Sequence, residues 1–226
     1  MAFDRMIVLD FETTGLKPGY RPVEIAWIEF DNQLNEIESV DSVLDPRIPI
    51  EPEAERTHGI SAKLVVGMPT LEDFISGTHW GKFAGEHVLV VAHNARFDVP
   101  MFAPFCRHIT PLCTMRLSQS LYPNSPSHTL STISSMLGVS SSPTHRAPDD
   151  ARACFEVLRL IGKAHNLSID GLLRASNDFS LDSPMPFGKH RGTKLRDLPS
   201  DYVEWLVQNL DHDNWVREVL SNQKGA

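Results

Sequence analysis

Two acidic residues, Asp10 and Glu12, stand at the end of an apolar run near the start of the chain, in the sequence VLDFETTG. Residues two apart in a β-strand project from the same face, so a strand here places both carboxylates side by side and Phe11 on the other face. Neighbouring carboxylates repel each other and lose hydration when buried, and a hard divalent cation relieves both costs. The alternative is a strand that simply ends in solvent, which is the commoner case for these two residues taken alone.

A third acidic residue, Asp98, follows the apolar run at residues 88–92, in the segment HNARFDVPMF. Asn94 is suited to begin a helix. In such a helix Asp98 shares a face with Phe102 and Phe105, which directs its carboxylate toward the sheet. The alternative is that Asp98 only stabilises the helix dipole from the first turn.

The segment HRAPDDARAC supplies a histidine and two more carboxylates at the start of the clearest helical pattern of the chain, residues 149–166. Asp150 lies on the apolar stripe of that helix and therefore faces the core. Asp149 lies about 100° away, which suits a first-turn or capping residue. His145 precedes the helix in a predicted loop. A single loop histidine is usually a surface residue, so its interpretation depends on the carboxylates around it.

These residues need a scaffold, and the patterns of the chain predict one. The segments with the composition of strands are residues 6–12, 23–30, 36–44, 88–92 and 111–113. The first has the composition of a buried strand, and the second and third roughly alternate apolar and polar residues. Three strands in sequence predict an antiparallel meander. A helical pattern at residues 70–85, weakened by Gly77 and Gly81, separates them from the wholly apolar strand at 88–92. The sequence therefore predicts an α/β protein with a mixed sheet flanked by helices.

The composition is that of an ordinary globular protein, with 41% hydrophobic and 22% charged residues among 226. The apolar runs are too short to cross a membrane, and the N-terminus does not read as a secretory signal. The three cysteines are odd in number and have no CxxC spacing, which predicts a reduced, cytoplasmic protein. The net charge of −8 is unfavourable for a nucleic-acid partner unless divalent cations neutralise the acidic centre.

A stretch rich in Ser, Asp and Pro at residues 180–186 reads as a linker. It divides the chain into a domain at residues 1–178 and a small extension at residues 179–226. After this linker the extension contains FGKHRGTKLR, in which Lys189 and Arg191 belong to the densest basic stretch of the chain. This stretch suits contacts with phosphates, and it equally fits a solvated basic loop.

The segment PSDYVEWLVQNL of the extension predicts an amphipathic helix. Its apolar face would comprise Tyr202, Val203, Trp205, Leu206 and Leu210. Tyr202 and Trp205 offer another role for the extension, which is to pack against the main domain rather than to bind a partner.

In order along the chain, a strand with D-x-E, then H-N-x-x-F-D, then H-x4-D at a helix start resembles the DEDDh branch of the DnaQ-like 3′→5′ exonuclease superfamily. The segments IEPEAERTHGIS, CTMRLSQSLYP and HTLSTISSMLG are similar to further segments of that family, and the resemblance covers roughly residues 6–165. Cys113 departs from the Asp that many members have. The Cys-Thr-Met run and the Phe-Gly-Lys segment of the extension are similar to those of the exodeoxyribonuclease X group.

The resemblance implies an RNase H-like core, which is a mixed five-stranded sheet with helices on its faces, and a small α-rich extension after it. It implies two Mg²⁺ ions, replaceable by Mn²⁺, held by Asp10, Glu12, Asp98 and Asp150. It also implies that His145 acts as the general base.

The resemblance further implies residues that contact the substrate: Thr13, Thr14, Gly15, Leu16, Asn94, Phe97, Lys189 and Arg191. The substrate it implies is a DNA 3′ end, single-stranded or duplex, from which nucleoside monophosphates are released. The core motifs fit an exoribonuclease or oligoribonuclease acting on RNA 3′ ends equally well, and only the extension favours DNA. A third hypothesis is a non-catalytic nucleic-acid-binding module, which has no need for the intact acidic set.

Overall fold

The computed structural model describes residues 2–212 and 214–222, without the side chains of residues 78–81. The strands are β1 (Arg5–Thr13), β2 (Pro22–Phe30), β3 (Glu36–Val43), β4 (His87–Ala92) and β5 (His108–Cys113). They form a five-stranded mixed sheet in the order β3-β2-β1-β4-β5. The β1–β2 and β2–β3 pairs are antiparallel, and the β1–β4 and β4–β5 pairs are parallel. The predicted meander and the predicted strands are confirmed, although β5 is longer than its prediction.

Helices pack on both faces of this sheet. The α-helices are α1 (Pro52–His58), α2 (Ala62–Val65), α3 (Leu71–Phe74), α4 (Trp80–Phe83), α5 (Ala95–Phe102), α6 (Thr114–Leu121), α7 (Leu130–Leu137), α8 (Ala147–His165), α9 (Ile169–Ala175), α10 (Ser200–Asn209) and α11 (Trp215–Asn222). The helix predicted at residues 70–85 consists of α3 and α4 joined by a π-helical segment around Gly77. The helix predicted from Asp149 begins earlier, because Pro148 is compatible with a first turn that needs no N–H there. Among the described residues, no helix has the length and apolar content that a membrane span requires.

Strand β1 lies in the middle of the sheet, and its side chains alternate between two apolar clusters. Met6 and Val8 pack in the cluster that includes the buried stripe of α8. Ile7, Leu9 and Phe11 pack in the cluster on the opposite face. Because apolar clusters cover both faces of the strand, the backbone at its C-terminal end is held in place, and so are the polar side chains attached there.

The C-terminal extension has a small apolar cluster of its own. The buried members of this cluster are Met185, Leu195, Leu198, Leu206, Trp215, Val216 and Leu220. Helix α10 confirms the helix predicted in the extension. The prediction is wrong for Trp205, which is 52% exposed, because it lies one residue, about 100°, away from the buried Leu206.

Trp215 fastens the extension to the main domain. Its ring stacks on Phe179 with the ring centroids 3.9 Å apart, and its indole N–H donates to Oε1 of Gln119 on α6 at 2.8 Å. Arg116, also on α6, has its guanidinium carbon 5.3 Å from the centroid of the Phe179 ring. The extension therefore packs against α6 through the contact of Arg116 with Phe179 and the hydrogen bond of Trp215 to Gln119.

We expect Trp215→Ala to lower the free energy of unfolding by about 3–5 kcal/mol, which is the usual cost of removing a buried aromatic side chain. Guanidinium denaturation followed by circular dichroism measures this loss. Trp205→Ala is the control, because its side chain is half exposed and stacks on Tyr202 at the surface, and its effect should not exceed about 1.5 kcal/mol. Equal losses in the two variants would contradict the packing described for Trp215.

Candidate active site

Asp10 and Glu12 end strand β1 on the face that α8 covers, as their spacing predicts. Asp10 stands opposite Ala26, and Glu12 opposite Glu24, in the antiparallel strand β2. Both side chains are half-buried. The register of β1 on β2 shifts directly after Glu12, so regular pairing stops where the acidic residues end. The pair therefore lies at the C-terminal end of the central strand, where other elements can reach it.

Helix α5 brings Asp98 to the same end of β1. Asn94 begins the helix in a left-handed conformation, with φ 86° and ψ 51°, which asparagine tolerates better than most residues. Asp98 is 3% exposed, and its Oδ1 accepts a hydrogen bond from the backbone N–H of Phe11 at 3.2 Å. This bond ties the carboxylate to the residue between Asp10 and Glu12, so the predicted inward orientation of Asp98 is confirmed.

Thr144 holds both carboxylates at the start of α8. Its N–H donates to Oδ1 of Asp150 at 2.9 Å, and its hydroxyl donates to Oδ2 of Asp149 at 2.5 Å. The next residue, His145, is exposed and has a left-handed φ of 60°. One ligand atom each from Glu12, His145 and Asp150 lies within 4.8 Å of the other two. The loop histidine therefore lies next to two of the carboxylates on which its interpretation depended.

The carboxylates make an electrostatically costly cluster. Burial raises the pKa of Asp10 well above its usual value, and Asp98, Asp150 and Glu12 raise it further. Burial, followed by Asp150, raises the pKa of Glu12 to about 7. Burial is also the largest cause of the raised pKa of Asp98 and of Asp150. A donor set of carboxylate oxygens and an imidazole fits a hard divalent cation, which would offset both burial and repulsion.

Glu24 on β2 is a buried carboxylate with no counterpart among the residues predicted from sequence. It is 1% exposed, and its two oxygens accept hydrogen bonds from Nε of Arg146 at 3.1 and 3.0 Å. Its Oε2 also accepts from the N–H of Ala147 at 2.9 Å. Arg146 directly follows His145, so this ion pair fixes the loop that carries the histidine. The clue in the sequence is a charged residue within the apolar strand VEIAWIEF, since a buried charge needs a partner.

His58 holds the backbone next to Glu12. Its Nδ1 accepts from the N–H of Ile60 at 3.0 Å, so the proton lies on Nε2, which donates to the carbonyl oxygen of Thr13 at 3.2 Å. The ring is 4% exposed, and burial lowers its pKa. The neutral tautomer that this pair of bonds requires is thereby favoured. The His-Gly-Ile segment noted in the sequence thus supports the end of β1.

The residues predicted to contact the terminal nucleotide differ in how available they are. Thr13 and Thr14 are buried, and their hydroxyls are engaged. The Thr13 hydroxyl donates to the carbonyl oxygen of Gly15 at 2.8 Å, and the Thr14 hydroxyl accepts from the N–H of Arg21 at 3.1 Å. Leu16 is 82% exposed, beside the acidic cluster in sequence. Of these side chains, that of Leu16 is therefore the one open to a ligand.

Asn94 and Phe97, predicted for the same pocket, lie at the start of α5. The ring of Phe97 stacks on Tyr20, with centroids 5.1 Å apart and planes 20° apart. The Asn94 Oδ1 accepts from Nε of Arg96 at 3.3 Å. The stacked rings join the loop after β1 to the helix that carries Asp98, so both sides of the acidic cluster are connected.

The predicted phosphate-binding residues of the extension are engaged within the protein. Arg191 donates to the backbone carbonyl oxygens of Ser125 and Pro126. Lys189 has its Nζ 5.0 Å from the centroid of the Tyr202 ring. The next two cations of the same stretch, Lys194 and Arg196, both pair with Asp182. These contacts support the alternative in which the basic stretch packs the extension rather than binding phosphate.

The fold and the acidic cluster agree with a known family of nucleases. The family model RNase_T, described as Exonuclease, matches residues 7–158, a span that contains the whole acidic cluster and His145. The chain belongs to this exonuclease family. The predicted DnaQ-like 3′→5′ exonuclease and its RNase H-like fold are therefore confirmed.

Individual relatives differ in how much of them this chain spans. Exodeoxyribonuclease 10 of Escherichia coli (strain K12) is 28% identical over 221 residues, which are 90% of this chain and 91% of the relative. The PolC-type DNA polymerase III of Clostridium perfringens is 30% identical over 175 residues, 74% of this chain but 12% of the relative. The solved structure of exonuclease X with 5′ overhanging duplex DNA has a TM-score of 0.61 at 24% identity, and covers 76% of this chain and 99% of that one.

A second family model, that of a quorum-sensing-regulated virulence factor, matches residues 180–210. This short match starts within the linker predicted at residues 180–186 and ends with α10. It therefore lies within the extension and does not overlap the match to the exonuclease family.

The raised pKa of Glu12 predicts how stability depends on pH. Folding raises this pKa from 4.5 to about 7, so the folded protein binds more protons than the unfolded chain between these values. The free energy of unfolding of the metal-free protein should therefore fall as the pH rises from about 4.5 to about 7, by at most about 3 kcal/mol from this group. Denaturation across this range measures the slope.

Glu12→Gln should remove that part of the pH dependence, since the amide does not titrate. Glu53→Gln, at an exposed position on α1, should leave the profile unchanged. A wild-type profile that Glu12→Gln does not alter would show that the carboxylate is not held in a costly environment.

The Glu24–Arg146 pair generates a second expectation. Glu24→Gln should lower the free energy of unfolding by about 1.5–3 kcal/mol, the range for hydrogen bonds to charged groups. It should also slow hydrolysis, because the His145 loop loses its support. Denaturation and rate measurements on the same preparations test both effects.

Glu36→Gln is the matched control for that pair, because Glu36 also binds an arginine, Arg152, through both carboxylate oxygens, but at the surface. Its effect on stability should not exceed about 1 kcal/mol, with an unchanged rate. Equal effects of the two substitutions would refute the positioning role of Glu24.

Proposed function

We propose that this chain hydrolyses phosphodiester bonds at the 3′ ends of DNA and releases nucleoside monophosphates. Its family membership supplies the reaction class. The observation that carries the choice of site is the convergence of Asp10, Glu12, Asp98 and Asp150, whose pKa values are all raised by burial. DNA as the substrate is supported by the similarity to exodeoxyribonuclease 10 over 90% of this chain.

In this proposal, Asp10, Glu12, Asp98 and Asp150 would hold two Mg²⁺ ions, for which Mn²⁺ can substitute. Such ions, when bound, supply activation of the attacking water and stabilisation of the leaving 3′-oxygen. Asp10 is the ligand best placed to be shared, because the other three carboxylates all raise its pKa. Its position on the central strand supports the same role.

His145 acts as the general base. It accepts a proton from the attacking water while the water oxygen bonds to phosphorus and the bond from phosphorus to the 3′-oxygen breaks. Its ring needs to be neutral for this step, and its exposed loop position gives a substrate access to it. Thr144 and Arg146 on either side hold the loop in place.

The terminal nucleotide packs on Leu16 and on the backbone of Thr13, Thr14 and Gly15, with Asn94 and Phe97 on the α5 side. Glu12 lies where a free 3′-hydroxyl would be read, which makes the enzyme act from ends. The phosphodiester bond of RNA is the same, so RNA is included in the test.

We also propose two properties of the whole chain. Residues 1–178 form the catalytic domain and residues 179–226 the extension, of which residues 213 and 223–226 lie outside the described part. The protein works in the reducing cytoplasm, since Cys106 and Cys154 are buried as free thiols.

The substrate is tested with Mg²⁺ and 5′-labelled single-stranded DNA, duplex DNA and RNA of one sequence. We expect ladders that shorten from the 3′ end, with DNA shortened faster than RNA. Faster shortening of RNA would identify an exoribonuclease. Binding of nucleic acid without shortening of any substrate would identify a binding module.

Two substitutions test the site. Asp10→Ala should abolish hydrolysis yet leave the metal-free protein at least as stable, because it removes one of the repelling carboxylates. His145→Ala should slow hydrolysis by about 10²- to 10⁴-fold. His165→Ala, at the exposed histidine that ends helix α8, is the control and should leave the rate of hydrolysis unchanged. Activity of Asp10→Ala close to that of the wild type would refute the ligand assignment.

A further inference from the structure

The extension and the catalytic domain enclose a groove in which, among the described residues, Asn94 is the one already predicted to contact the substrate. Its volume is about 490 Å³. One wall is formed by α5 and α6 and the other by the extension. Residues along it include Asn94, Arg96, Arg116, Gln119, Phe187 and Trp215. Asn94 also begins the helix that carries Asp98, so the groove runs along that helix.

The charge of this groove is opposite to that of the protein. The net charge of the chain is −8, yet within the described part of the chain the residues along the groove include no Asp or Glu. They include two arginines, Arg96 and Arg116, together with several amides. Asp211 pairs with Arg96 at 3.0 Å near the rim, so Arg116 is the stronger source of positive charge. Such a surface complements a polyanion.

Arg116 is held in a way that leaves its charge unpaired by any carboxylate in the described structure. Its guanidinium lies over the ring of Phe179, 5.3 Å from the centroid. Its Nε is buried and donates to no acceptor among the described residues. An arginine stacked on an aromatic ring keeps the edge of its guanidinium free for phosphate oxygens.

Phe187 supplies the second component of a nucleic-acid site. It is 36% exposed and lies on the extension side of the groove, and it does not pack into any apolar cluster of the described residues. Exposed aromatic rings next to arginine are the elements on which unpaired bases stack. An acidic peptide would need the charge but not the exposed ring.

We propose that this groove binds the single-stranded stretch of the substrate that leads to the nucleotide being removed. The proposal rests on the proposed exonuclease function and adds where the strand runs. Arg116 contacts a phosphate and Phe187 stacks on a base. Trp215 and Arg191 have a separate role, since their contacts with Gln119 and with the Ser125 carbonyl hold the wall in place.

The test compares Arg116→Gln and Phe187→Ala with the wild type. Steady-state KM is measured on a single strand of about 20 nucleotides and on a dinucleotide, which is too short to follow the groove. Binding of the labelled strand is also measured by fluorescence anisotropy without metal, so that it does not depend on hydrolysis.

We expect the ratio of the KM for the long strand to that for the dinucleotide to rise about tenfold or more in each variant. The anisotropy Kd should rise in parallel. The salt dependence of binding should lose about 0.7 from its slope in Arg116→Gln, the value for one phosphate contact on a single strand. Arg159→Gln is the control, because its guanidinium also lies over a ring, Phe155 at 5.7 Å, but along a different cleft.

Three outcomes would overturn the proposal. Unchanged Kd and KM ratios in both variants would mean that the groove takes some other partner. An equal rise for the long strand and the dinucleotide, or a lower melting temperature of Phe187→Ala, would mean that these residues serve the fold. A rise of the same size in Arg159→Gln would mean a general charge effect. Failure of the wild type to hydrolyse either substrate would refute the proposed function instead, while the anisotropy arms still decide on the groove.

Discussion

Carboxylates of one sign, gathered at the end of a buried strand, are the constraint on which the rest of this structure depends. Asp10 loses hydration there, and its neighbours Asp98, Asp150 and Glu12 each disfavour its charged form. Apolar side chains in the same places would give a more stable fold. The fold tolerates the cluster because other contacts hold the elements that carry it. A cation that binds there relieves the repulsion between the carboxylates, which strengthens its binding.

In each of those contacts, the hydrogen-bonding residue is next in the chain to a proposed functional residue: Phe11 lies between Asp10 and Glu12, and Arg146 follows His145. The N–H of Phe11 holds Asp98, and the ion pair of Glu24 with Arg146 holds the loop of His145. The Glu24–Arg146 pair uses no oxygen of the four proposed ligands, and the N–H of Phe11 binds Oδ1 of Asp98. A hydrolytic site benefits from this arrangement, because groups that are already oriented lose little free energy when the reaction begins.

The extension shows why the density of charge in a sequence is a poor guide to binding. Lys194 and Arg196 form ion pairs with Asp182, and Arg191 donates hydrogen bonds to backbone carbonyl oxygens. Arg116 lies in a segment of no particular basic character, yet it lines a groove without carboxylates among the described residues. Which cations face a polyanion depends on which acidic groups the fold places beside them.

Much of the fold and of the acidic site followed from the sequence alone. The same-face placement of Asp10 and Glu12, the inward turn of Asp150 and the order of strands and helices all arise from periodicities of 2 and 3.6 residues, which act within one element. Only the tertiary structure showed which residues hold the site in place. Glu24 meets Arg146 across 122 positions, and Arg191 meets Ser125 across 66. Contacts at such separations depend on how elements pack, and no local periodicity records them, so the sequence pointed to the proposed ligands and not to the residues that hold them in place.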